Sequence, residues 1–199
     1  MVNFVDICID TPYKRFINYY NKAVSKKQRN IEAISISSFN DNNKEVESRF
    51  VNLKYIRGEE WIFFSNYDSP KSESFSSHKQ ISAIFFWSSI NLQIRIKAKI
   101  FKTDPEFSDY HFSRRSISKN ALAISSLQSK PVESFEIVKH NFENTLKRKD
   151  ILFKRPDYWG GFSFEPYYFE FWEGGDNRLN KREAFLKDKK IWTHSYLQP

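Results

Sequence analysis

The chain has 199 residues, enough for one domain with a sizeable core, and 40% of them are apolar. The formal net charge is +8, but acids are interleaved with bases along most of the sequence. This argues against a dedicated nucleic-acid arm and leaves small anionic ligands or an ordinary solvated basic surface. A single cysteine, Cys8, excludes a disulfide within the chain and is typical of a reducing cytosol. No apolar run reaches about 18 residues and the N-terminal segment has no signal-peptide pattern, so we expect a cytoplasmic protein without a membrane span.

Hydrophobic periodicity in the first half of the sequence predicts one helix followed by five strands. The helix covers residues 11–27, with Thr11 as a cap and Pro12 in its first turn. The strands are predicted at 30–39, 46–56, 60–66, 81–89 and 92–101. A short helix over 69–79 joins the third strand to the fourth. The 18% aromatic content fits a sheet-rich core, because aromatic side chains suit a pleated surface.

Helices and a second group of strands are predicted in the remainder of the chain. The helices cover 104–115, 116–129 and 131–149, and the strands cover 161–175 and 182–197 with a turn near Asp188. After the Gly174–Gly175 pair, an extended segment would place Arg178, Asn180 and Arg182 on one face. This order of elements favours a mainly β barrel or an α+β layout over alternating βα units.

Several familiar kinds of site are absent from the sequence. The four histidines, His78, His111, His140 and His194, show no metal-ligand spacing. No glycine-rich phosphate loop and no nucleophile elbow occurs. We therefore expect no metal site, and a nucleotide-type cofactor would have to be held by side chains.

Two polar groups in the first half of the chain are candidates for binding phosphate. Arg49 and Lys54 share one predicted strand, and they face opposite sides of it unless the strand end is irregular. Ser65 and Asn66 end the next strand, and Lys71 follows one turn later. A hydroxyl, an amide and an ammonium at such a junction suit a phosphate, although ordinary turns use the same residues.

A third candidate group lies in the predicted helices. Tyr110, Arg114 and Ser118 are each four residues apart, so they share one face if a single helix runs through them. Phenol, guanidinium and hydroxyl together suit a phosphate, and a capped, solvated helix end explains the same pattern. Gln128 and Ser129 indicate nothing by themselves.

Taken in order, these segments resemble pyridoxine (pyridoxamine) 5'-phosphate oxidase, the FMN-dependent flavoenzyme family of the split-barrel fold. The resemblance runs from about residue 30 to the C-terminus. Seven segments carry it: Arg49–Lys54, Phe64–Lys71, Gln93 after the aromatic run 85–87, Tyr110 with Arg114 and Ser118, Gln128–Ser129, Trp159–Gly161, and Glu170–Trp172 with Gly174 and 178–182.

The resemblance implies a mainly β, α+β architecture, an FMN-binding split β-barrel with flanking helices that works as a homodimer. The whole chain, 1–199, would be one such domain, divided into an N-terminal helix (1–29), barrel strands (30–103), helices (104–150) and C-terminal strands with the dimerisation region (158–199). By similarity, the residues around FMN would be Arg49, Lys54, Phe64, Ser65, Lys71, Gln93, Gln128, Ser129, Trp172 and Arg182. The substrate would be held by Lys54, Tyr110, Arg114, Ser118, Arg178 and Asn180, with Arg178 and Asn180 as the catalytic pair over its ring.

The implied reaction oxidises pyridoxine or pyridoxamine 5'-phosphate to pyridoxal 5'-phosphate, with O2 as acceptor and hydrogen peroxide as product. The sequence departs from the family pattern at Phe64 (family Tyr), Pro70 (family Arg), Asn180 (family His) and Lys181 (family Asp). Two alternatives remain open. One is a split-barrel flavin oxidase of other specificity, such as those of phenazine biosynthesis, and the other is a flavin- or haem-binding module without turnover.

Overall fold

The computed structural model describes residues 1–199, which form ten strands and five helices. The strands are β1 (Asn3–Val5), β2 (Ala33–Asn40), β3 (Glu45–Asn52), β4 (Tyr55–Arg57), β5 (Glu60–Asn66), β6 (Gln80–Trp87), β7 (Leu92–Lys102), β8 (Trp159–Glu173), β9 (Lys181–Asp188) and β10 (Ile191–Leu197). The helices are α1 (Thr11–Ser25), α2 (Pro70–Ser77), α3 (Pro105–Ser113), α4 (Ile117–Ser125) and α5 (Phe135–Lys147). No helix combines the length and the apolar character needed to cross a bilayer.

The strands form one sheet in the order β1-β4-β5-β8-β7-β6-β2-β3, with β9 added beside β8 and β10 beside β9. All pairs are antiparallel except β1 with β4. The 15-residue strand β8 pairs with β5 through its first part and with β9 through its last part. Its ladder with β7 shifts register between Lys97 and Ala98, opposite Pro166, whose missing N–H is tolerated at such a bulge. The mainly β prediction is confirmed.

Aromatic side chains fill the core. Helix α1 buries one face against the sheet, and Phe16 lies 4.5 Å from Trp61 between ring centroids. On β7, Ile94, Ile96 and Ala98 are buried as the alternation predicts. Part of the high aromatic content is therefore used for packing between α1 and the inner face of the sheet.

The predicted strand 46–56 is two strands. β3 ends at Asn52 and pairs with β2, whereas β4 begins at Tyr55 and pairs with β5 and β1. Leu53 between them is fully buried, and the Lys54 N–H donates to Ile62 O at 2.8 Å. The regular alternation of a strand therefore does not continue from Arg49 to Lys54. Of the two possibilities that the sequence left open for this segment, the irregular strand end is the correct one.

Two further expectations about local structure are wrong. Residues Asp176–Arg178 form a one-turn 3-10 segment, in which Asn177 and Arg178 have φ values of 54° and 62°, and β9 begins only at Lys181. Arg178 and Asn180 are therefore in a turn and do not share a strand face with Arg182. The turn is closed by the Gly175 N–H, which donates to Asn180 Oδ1 at 3.2 Å.

The condition for a shared helical face through Tyr110, Arg114 and Ser118, a single helix running through all three, is also not met. Helix α3 ends at Ser113 with Arg114 as its C-cap, and Ser116 is the N-cap of α4. The chain turns between these caps, so spacing by four no longer keeps side chains on one face. Helix α5 begins later than Pro131, because the Ser134 hydroxyl accepts from the Ile137 N–H and caps it there.

Candidate functional site

A cleft of about 570 Å³ opens where β3 and β5 end, beside α2 and the α3–α4 junction. Its wall carries five cationic side chains and no carboxylate. These cations are Lys54, Lys71, Arg114, Arg115 and Lys119. A concave surface with this charge distribution is suited to anionic ligands.

Lys71 is the most buried of these cations, at 8% exposure. Its Nζ donates to Ser65 Oγ at 3.0 Å and to Ser69 Oγ at 2.9 Å, and no carboxylate lies within ion-pair distance. Burial and the nearby charge of Arg49 lower the pKa of Lys71 to about 8. A buried ammonium with only neutral partners is unfavourable by itself, so this group gains most from a bound anion.

Arg49 lies beside Lys71 but is already paired. Its guanidinium donates to Ser38 Oγ at 2.8 Å and forms an ion pair with Glu47. Pro70 occupies the first turn of α2, where its fixed φ suits the helix start. The strand-to-helix junction predicted from Ser65 and Lys71 is thus present, and Ser69 is an additional hydroxyl in it.

A stack of flat side chains forms another wall of the cleft. His111 lies on Phe64 with ring centroids 3.8 Å apart, and Phe64 lies on Trp159 at 5.4 Å. Tyr55 Oη and His111 Nδ1 are 3.0 Å apart. Burial and the neighbouring cations, Arg115 first, lower the pKa of His111 to about 4, so its imidazole is neutral near pH 7.

Sequence reasoning missed His111 and Arg115 as site residues. Both lie next to predicted residues in the chain, but their place in the cleft depends on Trp159, more than 40 residues later. The Arg115 guanidinium lies 4.3 Å from the Trp159 ring centroid. The pairing of β5 with β8 and the packing of Phe112 of α3 on Trp159 bring these residues together, so no local pattern could have identified them.

Gln128 joins this cleft from the loop after α4. Its Oε1 accepts from the Asn66 N–H at 3.4 Å, next to Ser65. Ser129, with φ of 67°, lines the neighbouring cavity of about 360 Å³ beside Ser69. The structure thus brings Lys54, Phe64, Ser65, Lys71, Gln128 and Arg114 together in one cleft, with Ser129 beside it.

A second group of predicted residues is held elsewhere on the sheet. Gln93, Trp172 and Arg182 are direct cross-strand neighbours on β7, β8 and β9. Trp172 is eleven residues along β8 from Gly161, which pairs with Phe64 of the cleft. At about 3.3 Å per residue this is a path of roughly 36 Å along the strand. The two groups therefore lie at opposite ends of β8.

Arg182 is fixed in this second group by a buried carboxylate. Glu170 is 1% exposed and accepts from Arg182 Nε at 3.0 Å and Nη2 at 2.8 Å. Arg95 Nη1 donates to the same carboxylate at 2.8 Å, and the Tyr168 hydroxyl donates at 3.0 Å. Two guanidiniums thus share one carboxylate on the outer face of the sheet.

The remaining predicted substrate residues are outside the cleft. Tyr110 is 50% exposed, with the Arg114 guanidinium 5.2 Å from its ring centroid. Ser118 is exposed on the first turn of α4, and Arg178 is exposed in the turn before β9. Of the six residues expected to hold substrate, only Lys54 and Arg114 line the cleft.

Comparison with known proteins places these features in one family. Residues 159–199 match the family model described as the pyridoxine 5'-phosphate oxidase C-terminal dimerisation region. Pyridoxine/pyridoxamine 5'-phosphate oxidase 1 of Hydrogenovibrio crunogenus is 30% identical over 191 residues, covering 94% of this chain and 88% of the relative. The corresponding oxidase of Actinobacillus succinogenes is 29% identical over 192 residues, covering 96% and 91%.

Two solved structures share the fold. PhzG from Burkholderia lata, in complex with tetrahydrophenazine-1-carboxylic acid, has a TM-score of 0.89 at 21% identity, covering 98% of this chain and 99% of its own. A pyridoxamine 5'-phosphate oxidase-related, FMN-binding protein from Nostoc punctiforme has a TM-score of 0.78 at 9% identity, covering 96% and 99%. These matches confirm the predicted barrel with flanking helices. With the sequence identities above, they lead to one conclusion: the chain belongs to the pyridoxine/pyridoxamine 5'-phosphate oxidase family of oxidoreductases.

Proposed function

We propose that this protein is an FMN-dependent oxidase that converts pyridoxine or pyridoxamine 5'-phosphate to pyridoxal 5'-phosphate, with O2 as acceptor and hydrogen peroxide as product. With pyridoxamine 5'-phosphate, water supplies the aldehyde oxygen and the amino group leaves as ammonia. The observation that carries the proposal is the acid-free cationic cleft with Lys71 buried in it and unpaired. Family membership supports the reaction class. Both the cofactor and the substrate are phosphate monoesters, which accounts for the number of cations.

The residues present fit FMN. The phosphate would be held by Lys71, Ser65 and Ser69, with the charge of Arg49 behind them, because charged donors and hydroxyls are the groups that bind phosphate. Gln128 offers an amide to the polar edge of the ring system. Pro70 supplies no donor, so the phosphate site depends more heavily on Lys71.

The second group of residues would complete the site from another subunit. Gln93, Trp172 and Arg182 lie at the opposite end of β8 from the cleft, too far along the strand to reach a ligand held by Lys71 in the same chain. A two-fold dimer would bring this end of one β8 to the cleft of the partner. The family-model match over 159–199, described as a dimerisation region, supports such a homodimer. We also propose that the whole chain is one domain.

When FMN is bound, it is the two-electron acceptor, and the side chains bind and orient the cofactor and the substrate. Lys54 and Arg114 would hold the substrate phosphate and fix the distance of the reacting carbon from the cofactor. The wall of His111, Phe64 and Trp159 keeps water from one side of the cleft. Near pH 7 the neutral His111 ring adds no further positive charge.

Arg178 and Asn180 would act from the second subunit, over the substrate ring. They lie in the turn that directly follows the Trp172 end of β8, which is the end that the proposed dimer would bring to the partner's cleft. Asn180 already accepts a backbone hydrogen bond from Gly175. We therefore assign Asn180 the shaping of this turn as well as contact with the ring.

The second candidate function is a split-barrel flavin oxidase with another anionic substrate, of the phenazine-biosynthesis type. The observation that favours it is that Tyr110 and Ser118, expected in the substrate-phosphate grip, are outside the cleft. An aromatic carboxylate would need fewer donors than a phosphate. Both candidates predict bound FMN.

The test begins with the purified protein. Its released cofactor is identified by chromatography, and the FMN-loaded protein is then mixed with each phosphorylated vitamer under air. Formation of pyridoxal 5'-phosphate with equal peroxide is the expected result, and unphosphorylated pyridoxine should react poorly. FMN without oxidation of either vitamer would favour the second candidate, and bound haem in place of FMN would overturn both.

A further inference from the structure

Three side chains that can bind a metal ion meet beside the start of helix α1. They are the thiol of Cys8 and the carboxylates of Asp10 and Glu59, and one ligand atom from each lies within 4.8 Å of the other two. The Cys8 N–H donates to the Gly58 carbonyl at 3.1 Å, which fixes the thiol next to the β4–β5 turn. None of the three residues lines the cationic cleft. The group contains no histidine, so the spacing of the histidines in the sequence gives no indication of it.

The carboxylate of Asp10 is not used in the way that its position in the chain favours. Asp10 is the N-cap residue of α1, where an aspartate normally accepts from a backbone N–H of the first turn, yet its side chain makes no capping hydrogen bond. Its Oδ2 instead accepts from the Trp192 indole N–H at 3.1 Å. Trp192 thus holds the carboxylate beside Cys8 and Glu59 and away from the start of the helix.

A single ammonium balances the charge of these carboxylates. Lys187 Nζ on β9 lies 2.7 Å from Glu59 Oε1 and 2.6 Å from Oε2, and Asp10 has no ion-pair partner. The Cys8 Sγ lies 3.8 Å from the same Glu59 Oε1. The group therefore has an excess of negative charge, although the chain as a whole carries a net charge of +8. A divalent cation would compete with Lys187 for Glu59, because it carries twice the charge.

A buried hydroxyl that faces the group lacks a partner. Tyr13, in the first turn of α1, is 1% exposed, and its Oη is buried without a hydrogen-bond partner. Burial raises the pKa of this hydroxyl most, and the charges of Glu59, Cys8 and Asp10 raise it further, so Oη faces all three. The Tyr13 ring packs edge-on against Trp192, with 6.2 Å between the centroids. An unpaired buried hydroxyl is unfavourable, and water on a bound metal ion would supply the missing hydrogen bond.

We propose that Cys8, Asp10 and Glu59 bind a divalent transition-metal ion, best matched by Zn²⁺, with a water as fourth ligand that donates to the Tyr13 hydroxyl. A thiolate with two carboxylates suits Zn²⁺, whereas Mg²⁺ and Ca²⁺ take oxygen ligands. Bonds of about 2.0–2.3 Å place the ligand atoms of a tetrahedral site roughly 3.3–3.8 Å apart. Binding therefore requires a contraction of about 1 Å and release of Glu59 by Lys187.

The role of such an ion is structural. It would join the segment before α1, which carries Cys8 and Asp10, to the β4–β5 turn, which carries Glu59. Because all three ligands lie outside the cleft, the site requires neither FMN nor substrate. It is therefore independent of the proposed oxidase function.

The test adds Zn²⁺ and Co²⁺ separately to the full-length protein after treatment with a chelator. Calorimetry measures the affinity for Zn²⁺, and absorption spectroscopy follows Co²⁺. Because Cys8 is the only cysteine in the chain, a thiolate-to-cobalt charge-transfer band in the near ultraviolet can come from this residue alone. We expect this band, a Zn²⁺ site that competes with Co²⁺ for it, and a higher thermal unfolding midpoint with Zn²⁺. Cys8→Ser should abolish the band.

Further variants separate this site from adventitious binding to surface carboxylates. Tyr13→Phe keeps the ring and should weaken Zn²⁺ binding about tenfold, as expected for a partner of a metal-bound water. Lys187→Gln should strengthen binding, because it removes the competing ammonium. Exposed Glu143→Gln is the control and should change nothing. Circular dichroism checks that every variant is folded. Bound Co²⁺ without the thiolate band, or equal Zn²⁺ affinity in the wild type and a folded Cys8→Ser variant, would overturn the proposal.

Discussion

The Lys71 ammonium lies 3.0 Å from the Ser65 hydroxyl, and both groups are buried in a wall that contains no carboxylate. This arrangement makes the charge of one lysine dependent on whether an anion is bound. In the ligand-free protein, burial brings the pKa of Lys71 to about 8. A bound phosphate would stabilise the ammonium and raise that pKa again.

FMN affinity should therefore fall above about pH 8. Phosphate binds the ammonium form of Lys71, and that form is lost as pH rises through the ligand-free pKa. Deprotonation of Lys71 alone should lower the affinity for FMN by an amount that approaches about tenfold per pH unit. Quenching of flavin fluorescence from pH 6.5 to 9.5 measures it. Lys71→Arg, which keeps its charge, should give a flat profile, and a flat wild-type profile would contradict the assignment of Lys71.

Lys71→Met should stabilise the FMN-free protein and weaken FMN binding. At pH 7 the folded protein buries an unpaired charge that the unfolded chain leaves in water, so its removal should add about 1–3 kcal/mol to the free energy of unfolding. The unfolded chain binds more protons than the folded one between pH 8 and 10.5. The free energy of unfolding of the wild type therefore rises between pH 8 and 10.5 as Lys71 loses its proton. The difference in stability between Lys71→Met and the wild type should shrink over the same range. Urea denaturation at pH 7 and 9.5 measures both values, and a variant less stable at pH 7 would disprove this account.

His111→Phe should reduce the loss of stability in acid. Burial and the neighbouring cations hold the pKa of His111 at about 4, below its ordinary 6.5. The unfolded chain takes up this proton first, so stability falls as pH decreases from 6.5 to 4. Phenylalanine keeps the stack on Phe64 and cannot titrate. The free energy of unfolding, measured at several pH values, should fall less steeply for the variant. His140→Gln controls for loss of an exposed histidine, and parallel wild-type and His111→Phe curves would refute the prediction.

Glu170→Gln should destabilise the fold and displace Arg182. The buried carboxylate accepts from two guanidiniums, and an amide cannot accept as strongly from both. We expect a loss of about 1–3 kcal/mol in chemical denaturation, together with weaker FMN binding. Glu165→Gln, exposed on the same strand, is the matched control. Equal stability of the two variants would show that the ion pairs contribute nothing.

The parts of this fold that could be predicted are those that depend on neighbours in sequence. β7 was predicted correctly because one of its faces is buried along its length, so Ile94 and Ile96 alternate with polar residues. The segment from Arg178 could not be predicted by the same rule. Alternation assumes an extended chain, and Arg178 adopts a positive φ that is uncommon for its residue type.

In the candidate site, too, the residues that could be predicted are those whose position depends on neighbours in sequence. Ser65 and Lys71 were identified because a strand end and a helix start are visible in the sequence. The grip of Tyr110, Arg114 and Ser118 depended on a continuous helix, and the cap at Ser116 ends that continuity. Arg115 was missed because its partner, Trp159, reaches it through the sheet and through packing on Phe112.

Strand β8 carries Trp159 of the cleft at one end and Trp172, the neighbour of Arg182, at the other. In the proposed dimer, this arrangement has a genetic consequence. Consider one subunit with Lys71→Met and another with Arg182→Ala, each inactive as a homodimer. In the mixed dimer one cleft combines both defects, whereas the other combines an intact Lys71 with an intact Arg182. Co-expression of the two defective alleles should therefore restore one working cleft in every mixed dimer. Two alleles that both alter the Lys71 end should show no such complementation, because each cleft then retains a defect.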